Sequence, residues 1–528
     1  MGDNNLQSLS DLDDDIIIAI FGFLDVSSIL ALRKTCQRMQ LISHLLVVWR
    51  HAFNTQVLQH GFPYPPDILL PSLPSTTLEH AVLRSCRISQ FWHRPSAEPR
   101  SKASFRLKTS MGISDIYLLP ENLHDGLEKR RVITVSKGIW SEVACWNLDM
   151  TGSQLFKLAE WCPKGAIFTG IAVNGKPDSA AIVALSLTCG GEQCIQILSL
   201  QHDQDEFSFQ VLKTFSASYR PVYLDGDILA FSDDSSETYI SNWRTGESAV
   251  LLGSEMSTGS TFEYNKCIKI IDAHDSILVV RARSIDLFPT PKLKPASEDV
   301  PIYHPTASHS FGWVDGVSVY PQHHSATIGC QIATPLYVLV RLESDDPWSS
   351  DTHTIHLYSL EPNLSRRSRS ISPLEDIPEE HPVRTGPDTL HTPYIFPPIH
   401  KVSFPTLKGR LRCTDILCGN HGTGIWVQPR SAHEASLTTF DVHSSHAQIP
   451  YSVPVNSANE SIIGGIFPGI MMNQSGNDDD PMRPRQNVRR IVERDIGSEA
   501  NWTAMDYDEI RGLVVLGASD GEITVVEL

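Results

Sequence analysis

The chain has 528 residues, 41% of them hydrophobic, enough for a substantial core and more than one ordinary domain. With 43 Lys and Arg against 61 Asp and Glu, its formal net charge of -18 repels phosphate backbones on average and argues against nucleic acid as a partner. The most apolar stretch, Ile16 to Leu24, is well short of the ~20 residues that span a bilayer, and the start lacks a secretory pattern, with Leu6 where a myristoylation motif wants Ser or Thr, so no membrane association is expected.

These features point to a soluble intracellular protein, cytoplasmic or nuclear. Its ten cysteines are then expected as thiols, since pairs such as Cys189/Cys194 and Cys413/Cys418 have neither Cys-x-x-Cys spacing nor a matching His cluster.

Asp13 to Asp15 can cap a helix running through Ile16, Ile17, Ile18, Ala19, Ile20 and Phe21 to Leu24. At about 100° per residue its apolar side chains cover roughly 200° of arc, about twice what packing on one core requires, so a second partner surface is implied. Ser27 or Ser28 can cap a second short helix with Ile29, Leu30 and Leu32, and a third carries Cys36, Met39, Ile42 and Leu46 at helical spacing. Three such helices cannot bury all their apolar faces alone.

The ordered series Leu12, Asp15-Ile16-Ile17, Ile20-Phe21, Phe23-Leu24-Asp25, Ile29-Leu30, Leu32-Arg33, Cys36, Arg38 and Trp49 resembles an F-box. The resemblance implies a three-helix unit docking on a Skp-family adaptor and, through it, on a cullin scaffold. Leu12, Ile16, Ile17, Ile20, Phe21, Leu24, Ile29, Leu32, Cys36 and Trp49 are the expected adaptor-binding residues. Asp13 stands where the family usually has Pro and Met39 where it often has Trp; both changes leave the apolar surface in place.

The helical domain is assigned to residues 1–60 and a proline-rich linker with a connecting helix to 61–98. Thr76 and Glu79 offer a capping box for that helix, which carries Leu78, Val82, Leu83 and Cys86 and ends near Trp92. So structured a connection suggests a fixed distance between the two ends of the molecule.

From Ser104 onward short β-branched runs alternate with turn dipeptides such as Asn174-Gly175, Asp225-Gly226 and Asp520-Gly521. Candidate strands with similar apolar patterns begin near residues 143, 194, 238, 283, 354, 424 and 522. This period resembles a propeller of WD-repeat type, with Trp146-Asn147 and Asn242 to Gly246 as eroded forms of its signature. The expected class is therefore α+β multidomain: a helical F-box, a linker helix, and a mostly-β propeller over 99–528 with seven blades, six or eight being open. Disordered insertions are expected near 361–398 and 473–490. A two-sheet sandwich is the structural rival, but so many β residues would demand two such domains and a clear linker. The segments beginning at Ser276, Ser284 and Gly512 also resemble propeller-like regions of F-box proteins from mushroom-forming fungi.

Motifs for catalysis fail on context. Gly170 to Lys176 has phosphate-loop spacing, but Pro177 occupies the magnesium-binding Ser/Thr position. The Gly517 to Gly521 run spells a nucleophile elbow, yet only a strand can follow it. No His-Glu-x-x-His occurs, and the 21 histidines show no zinc spacing, so no cofactor or metal is expected. Ser370 and Ser372, in the run Arg366 to Pro373, are candidate phosphorylation sites in a charge run that solvation alone also explains. The combination suggests a non-enzymatic substrate receptor of an SCF-type cullin-RING ubiquitin ligase, holding an unknown protein substrate on the propeller. An F-box scaffold without a degradative role is the alternative, and a propeller hydrolase or lectin a more distant one.

Overall fold

A computed structural model of the protein describes residues 12–64, 73–94, 97–107, 111–120, 130–149, 154–203, 206–233, 236–253, 265–295, 299–321, 334–342, 352–363, 392–407, 413–429, 460–467, 488–494 and 500–528. Ser370 and Ser372, and most of the two expected insertions, fall outside these residues.

Five α-helices occur among the described residues: α1 (Asp14–Gly22), α2 (Val26–Arg33), α3 (Gln37–Ser43), α4 (Leu46–Ala52) and α5 (Ser75–His93). The six residues Phe53–Leu58 extend α4 as a π-helical turn. The expected third helix is thus two. Ile42 and Leu46 keep helical spacing across the break, but the Ser43 carbonyl accepts from Trp49 Nε1 at 2.8 Å, which folds the chain back at His44 and Leu45. Two expected caps also differ. Asp25, not Ser27 or Ser28, caps α2 by accepting from the Ser28 amide at 2.7 Å, and Ser28 thereby holds the Asp25 carboxyl below its usual range. Helix α5 starts one residue before Thr76 with Pro74 at its N-cap, so the expected capping box does not form, and Glu79 pairs with Arg33.

The four short helices close around Ile17, Phe21, Ile29, Ile42 and Trp49, and α5 lends Leu78 and Val82 to the same core. Farther along α5, Ile88, Phe91 and Trp92 enter a second core made by the β domain. One helix therefore belongs to both units. Gly464 makes its close approach possible: a Cβ there would stand 2.8 Å from Trp92 Cη2.

The β domain consists, among the described residues, of seven sheets arranged as a seven-bladed propeller. In chain order the blades span 115–161, 166–216, 220–252, 267–310, 314–407, 416–493 and 502–527. Blade 3 gains a fifth, parallel strand, Ile302–Tyr303. Blade 7 takes its fourth strand, Ser101–Arg106, from the beginning of the domain. Each interface between neighbouring blades holds its own apolar cluster. The cluster joining blade 7 to blade 1, with Val515 and Ile523 against Ile116 and Val132, shows that the ring is closed. Middle strands such as Leu336–Leu342 are apolar on both faces because each face meets another blade.

The expected blade markers fall on real strands. Those near 143, 194, 238, 283, 354 and 522 correspond to the third strands of blades 1, 2, 3, 4, 5 and 7. The one near 424 is the second strand of blade 6, Thr423–Pro429, whose partner Glu460–Ile466 follows only after a long separation in sequence.

Candidate functional site

Two surfaces combine chemistry with placement: the outside of the helical unit and the axis of the ring. On the helical unit, Ile17, Phe21, Ile29 and Trp49 are buried. They pack the core of the helical unit. Leu12, Ile20, Leu24 and Leu32 are half-buried, whereas Ile16 and Cys36 are exposed. The accessible apolar surface is extended by residues the sequence reading left out: Phe23 is 92% exposed and Leu41 72%, with Leu45 and Val47 also exposed. Helices α1, α3 and α4, which carry or adjoin these side chains, are mutual neighbours. The doublets Leu41-Ile42 and Val47-Val48 held the signal, since adjacent helical residues cannot share a face and one of each pair had to turn outward.

Its orientation relative to the propeller is fixed by contacts along α5. Arg33 Nη1 donates to Glu79 Oε1 at 2.5 Å, and His44 Nδ1 lies 3.4 Å from Glu79 Oε2. At the other end Arg87 and Arg100 both reach Glu527 Oε1 of the closing blade, at 3.4 and 3.1 Å. Arg489 Nη1 donates to the Arg94 carbonyl at 2.6 Å while its guanidinium lies over the Phe91 ring at 3.6 Å.

A model of the F-box domain matches residues 9–51. The N-terminal segment is an F-box. Its helices are followed by the connecting helix and the propeller, an organisation that fits a non-enzymatic adaptor for protein interaction. No curated protein matches the chain. Among solved structures, a crystal structure of polycomb repressive complex 2 from Chaetomium thermophilum is similar at 11% identity and a TM-score of 0.45, covering 82% of this chain and 98% of that one. An active polycomb repressive complex 2 in the basal state gives 11% identity and 0.46 over the same shares.

The propeller axis carries perturbed ionisable groups of opposite charge. Asp506 of blade 7 accepts from the Leu118 amide of blade 1 at 2.6 Å, and Asp415, just before blade 6, accepts from the Met505 amide at 2.8 Å. Burial pushes the Asp506 carboxyl up to about 6 and raises that of Asp415. Lys269 of blade 4 interacts with both carboxylates, although blade 4 stands opposite blade 7. Such coupling runs across the axis. Lys269 is open to water, yet enclosure by the ring lowers its ammonium pKa, as expected for a side chain standing in an axial channel. Sequence spacing could not assemble these residues, which lie on different blades.

The enzyme-like spellings dissolve on inspection. Gly170 lies within the strand Ala166–Val173, and Asn174 locks blade 2 to blade 3 by accepting from the Gly226 amide at 2.9 Å. Ser519 sits in the hairpin before Glu522–Glu527. No group of three His, Cys, Asp or Glu among the described residues is arranged to hold a metal. None of the described helices is long and apolar enough to cross a membrane.

Proposed function

We propose that the chain is the substrate-receptor subunit of an SCF-type cullin-RING ubiquitin ligase. The F-box docks on a Skp-family adaptor, which links it to the cullin, and the propeller holds a protein substrate. The observation that carries this reading is the large apolar surface left on a helical unit whose own core is complete: Phe23 and Leu41 face solvent while Trp49 and Ile29 are fully enclosed. Water-exposed side chains of this size on neighbouring helices favour a protein partner.

The mechanism is positional. A long helix rooted in both cores holds the propeller at one distance and orientation from the adaptor, which raises the concentration of substrate lysines near the ubiquitin-loaded enzyme. This chain performs no bond chemistry in that scheme.

The test is co-purification with a Skp adaptor. Phe23→Asp combined with Leu41→Asp should remove adaptor binding with the helical circular dichroism unchanged, because both side chains are already in water. Retained binding by this folded variant would overturn the docking surface. Proximity labelling with and without proteasome inhibition, comparing full length with a chain lacking residues 1–60, then separates a receptor from a scaffold. Partners that accumulate on inhibition only with the full chain mark a receptor.

A further inference from the structure

Blade 5 brings together two histidines that are 44 residues apart in sequence. Its third strand, Thr352–Leu360, pairs antiparallel with its fourth, Ile399–Leu407, across the proline-rich insertion. In an unbroken ladder Tyr358 would face Lys401. The register instead shifts between Leu357 and Tyr358, so that Tyr358 faces His400 while His356 still faces Ser403. This bulge re-aims His400 to the sheet face already occupied by His356 and Ser403.

The result is a triangle of donor atoms. His356 Nδ1 lies 3.2 Å from His400 Nε2, His400 Nε2 lies 2.7 Å from Ser403 Oγ, and Ser403 Oγ lies 3.0 Å from His356 Nδ1. Protons can satisfy two of these three edges at most, since each imidazole nitrogen either donates or accepts. A cation about 2.1 Å from each atom fits above the plane of the triangle, and two ligands of a tetrahedral ion at that distance stand roughly 3.4 Å apart. The nitrogen separation of 3.2 Å is close to that bite.

We propose that His356, His400 and Ser403 form a surface site for a zinc-class divalent transition-metal ion, the two imidazoles serving as ligands and the hydroxyl and water completing the shell. His356 is half-buried and His400 exposed, which leaves the remaining positions open to solvent. Tyr358 stands against the His400 ring at 5.4 Å and limits its rotation. A bound ion would clip together two strands joined by a long connection, where loop closure makes a cross-link most effective.

The experiment uses the full chain, stripped with chelator and titrated with zinc chloride by calorimetry. One equivalent should bind more tightly than the background of scattered histidines. His400→Gln and His356→Gln, on separate strands, should each lose that equivalent, and Ser403→Ala should weaken it by about tenfold. Cobalt(II) should give the visible absorption of a four-coordinate ion in the natural chain and lose it in either histidine variant. Zinc uptake unchanged in both variants, or only six-coordinate cobalt in the natural chain, would overturn the site. The cobalt arm needs no variant to fold.

Discussion

Arg33 of α2 and Glu79 of α5 are 2.5 Å apart with side chains 16% and 11% exposed, so the F-box is locked to its connecting helix by a mostly buried ion pair. Arg33 also donates from Nε to Ser43 Oγ at 2.8 Å and lies over the Trp49 ring at 5.6 Å. One guanidinium thus ties α2, α3, α4 and α5 together. Glu79→Ala should leave that charge uncompensated and destabilise the helical unit by about 2–4 kcal/mol. Hydrogen exchange should then accelerate in α1 to α4 while the propeller strands keep their protection. Equal acceleration in both units would mean that the cores do not open separately.

A second buried pair lies inside blade 4. Arg281 and Asp286 are both 0% exposed, with Nε 3.2 Å from Oδ2, and Ser308 Oγ donates to Asp286 Oδ1 at 2.5 Å. Removing one partner of such a pair typically costs about 3–5 kcal/mol, whereas replacing both by apolar residues is much less harmful. Asp286→Ala should therefore lower the denaturation midpoint sharply, and Arg281→Met with Asp286→Leu should regain most of the loss. A double variant no better than the single one would show that the polar pair specifies the blade's packing.

The axial carboxyl predicts a pH dependence of stability. Burial raises Asp506 from 3.8 to about 6, so the native state binds its proton more tightly than the unfolded chain does. That favourable contribution is complete below the unfolded value and is lost as pH rises through the folded one. Asp506→Asn keeps a carbonyl oxygen for the Leu118 amide and removes the titration. Relative to the natural chain it should gain on the order of 1–2 kcal/mol between pH 4 and pH 7, allowing for water in the channel. Urea melts at several pH values measure this difference. A difference independent of pH would assign the perturbation elsewhere.

The sequence made the order of elements legible wherever a local pattern carried it. The F-box series and the recurring blade strands are local, and both fall on real elements, although the strand near 424 is the second and not the third of its blade. Choices between adjacent residues were not legible: Asp25 caps α2 although Ser27 and Ser28 are equally good capping types. Neither was the end of α3, where the Trp49 side chain takes a carbonyl that continued helix would have used. Exposure within the F-box depended on which residue of each apolar doublet the four-helix packing turned inward. The axial cluster of Asp415, Asp506 and Lys269 joins residues from separate blades and has no signature in spacing.

Closure of the ring gives the last prediction. The strand Glu522–Glu527 is the third of four in the closing blade. It lies between Leu513–Ala518 and Ser101–Arg106, with Ser104 opposite Thr524. It therefore bonds the end of the domain to its beginning, and Glu527 adds the ion pairs to Arg87 and Arg100 that seat α5. Leu528 is buried in the core shared by α5 and blades 6 and 7. Deleting residues 520–528 should leave Ser101–Arg106 without a partner, expose the edge of Leu513–Ala518 and open the ring, because a propeller protects its sheet edges only when closed. The cooperative melting of the β domain should be lost or fall by many degrees. Adaptor binding should survive, since Ile17, Phe21, Trp49 and Leu78 form a core to which the deleted strand contributes nothing. Calorimetry and adaptor co-purification on the same truncated protein test both halves. An unchanged melting temperature would mean that the strand is a dispensable edge, and loss of adaptor binding would mean that the helical core depends on the propeller for its fold.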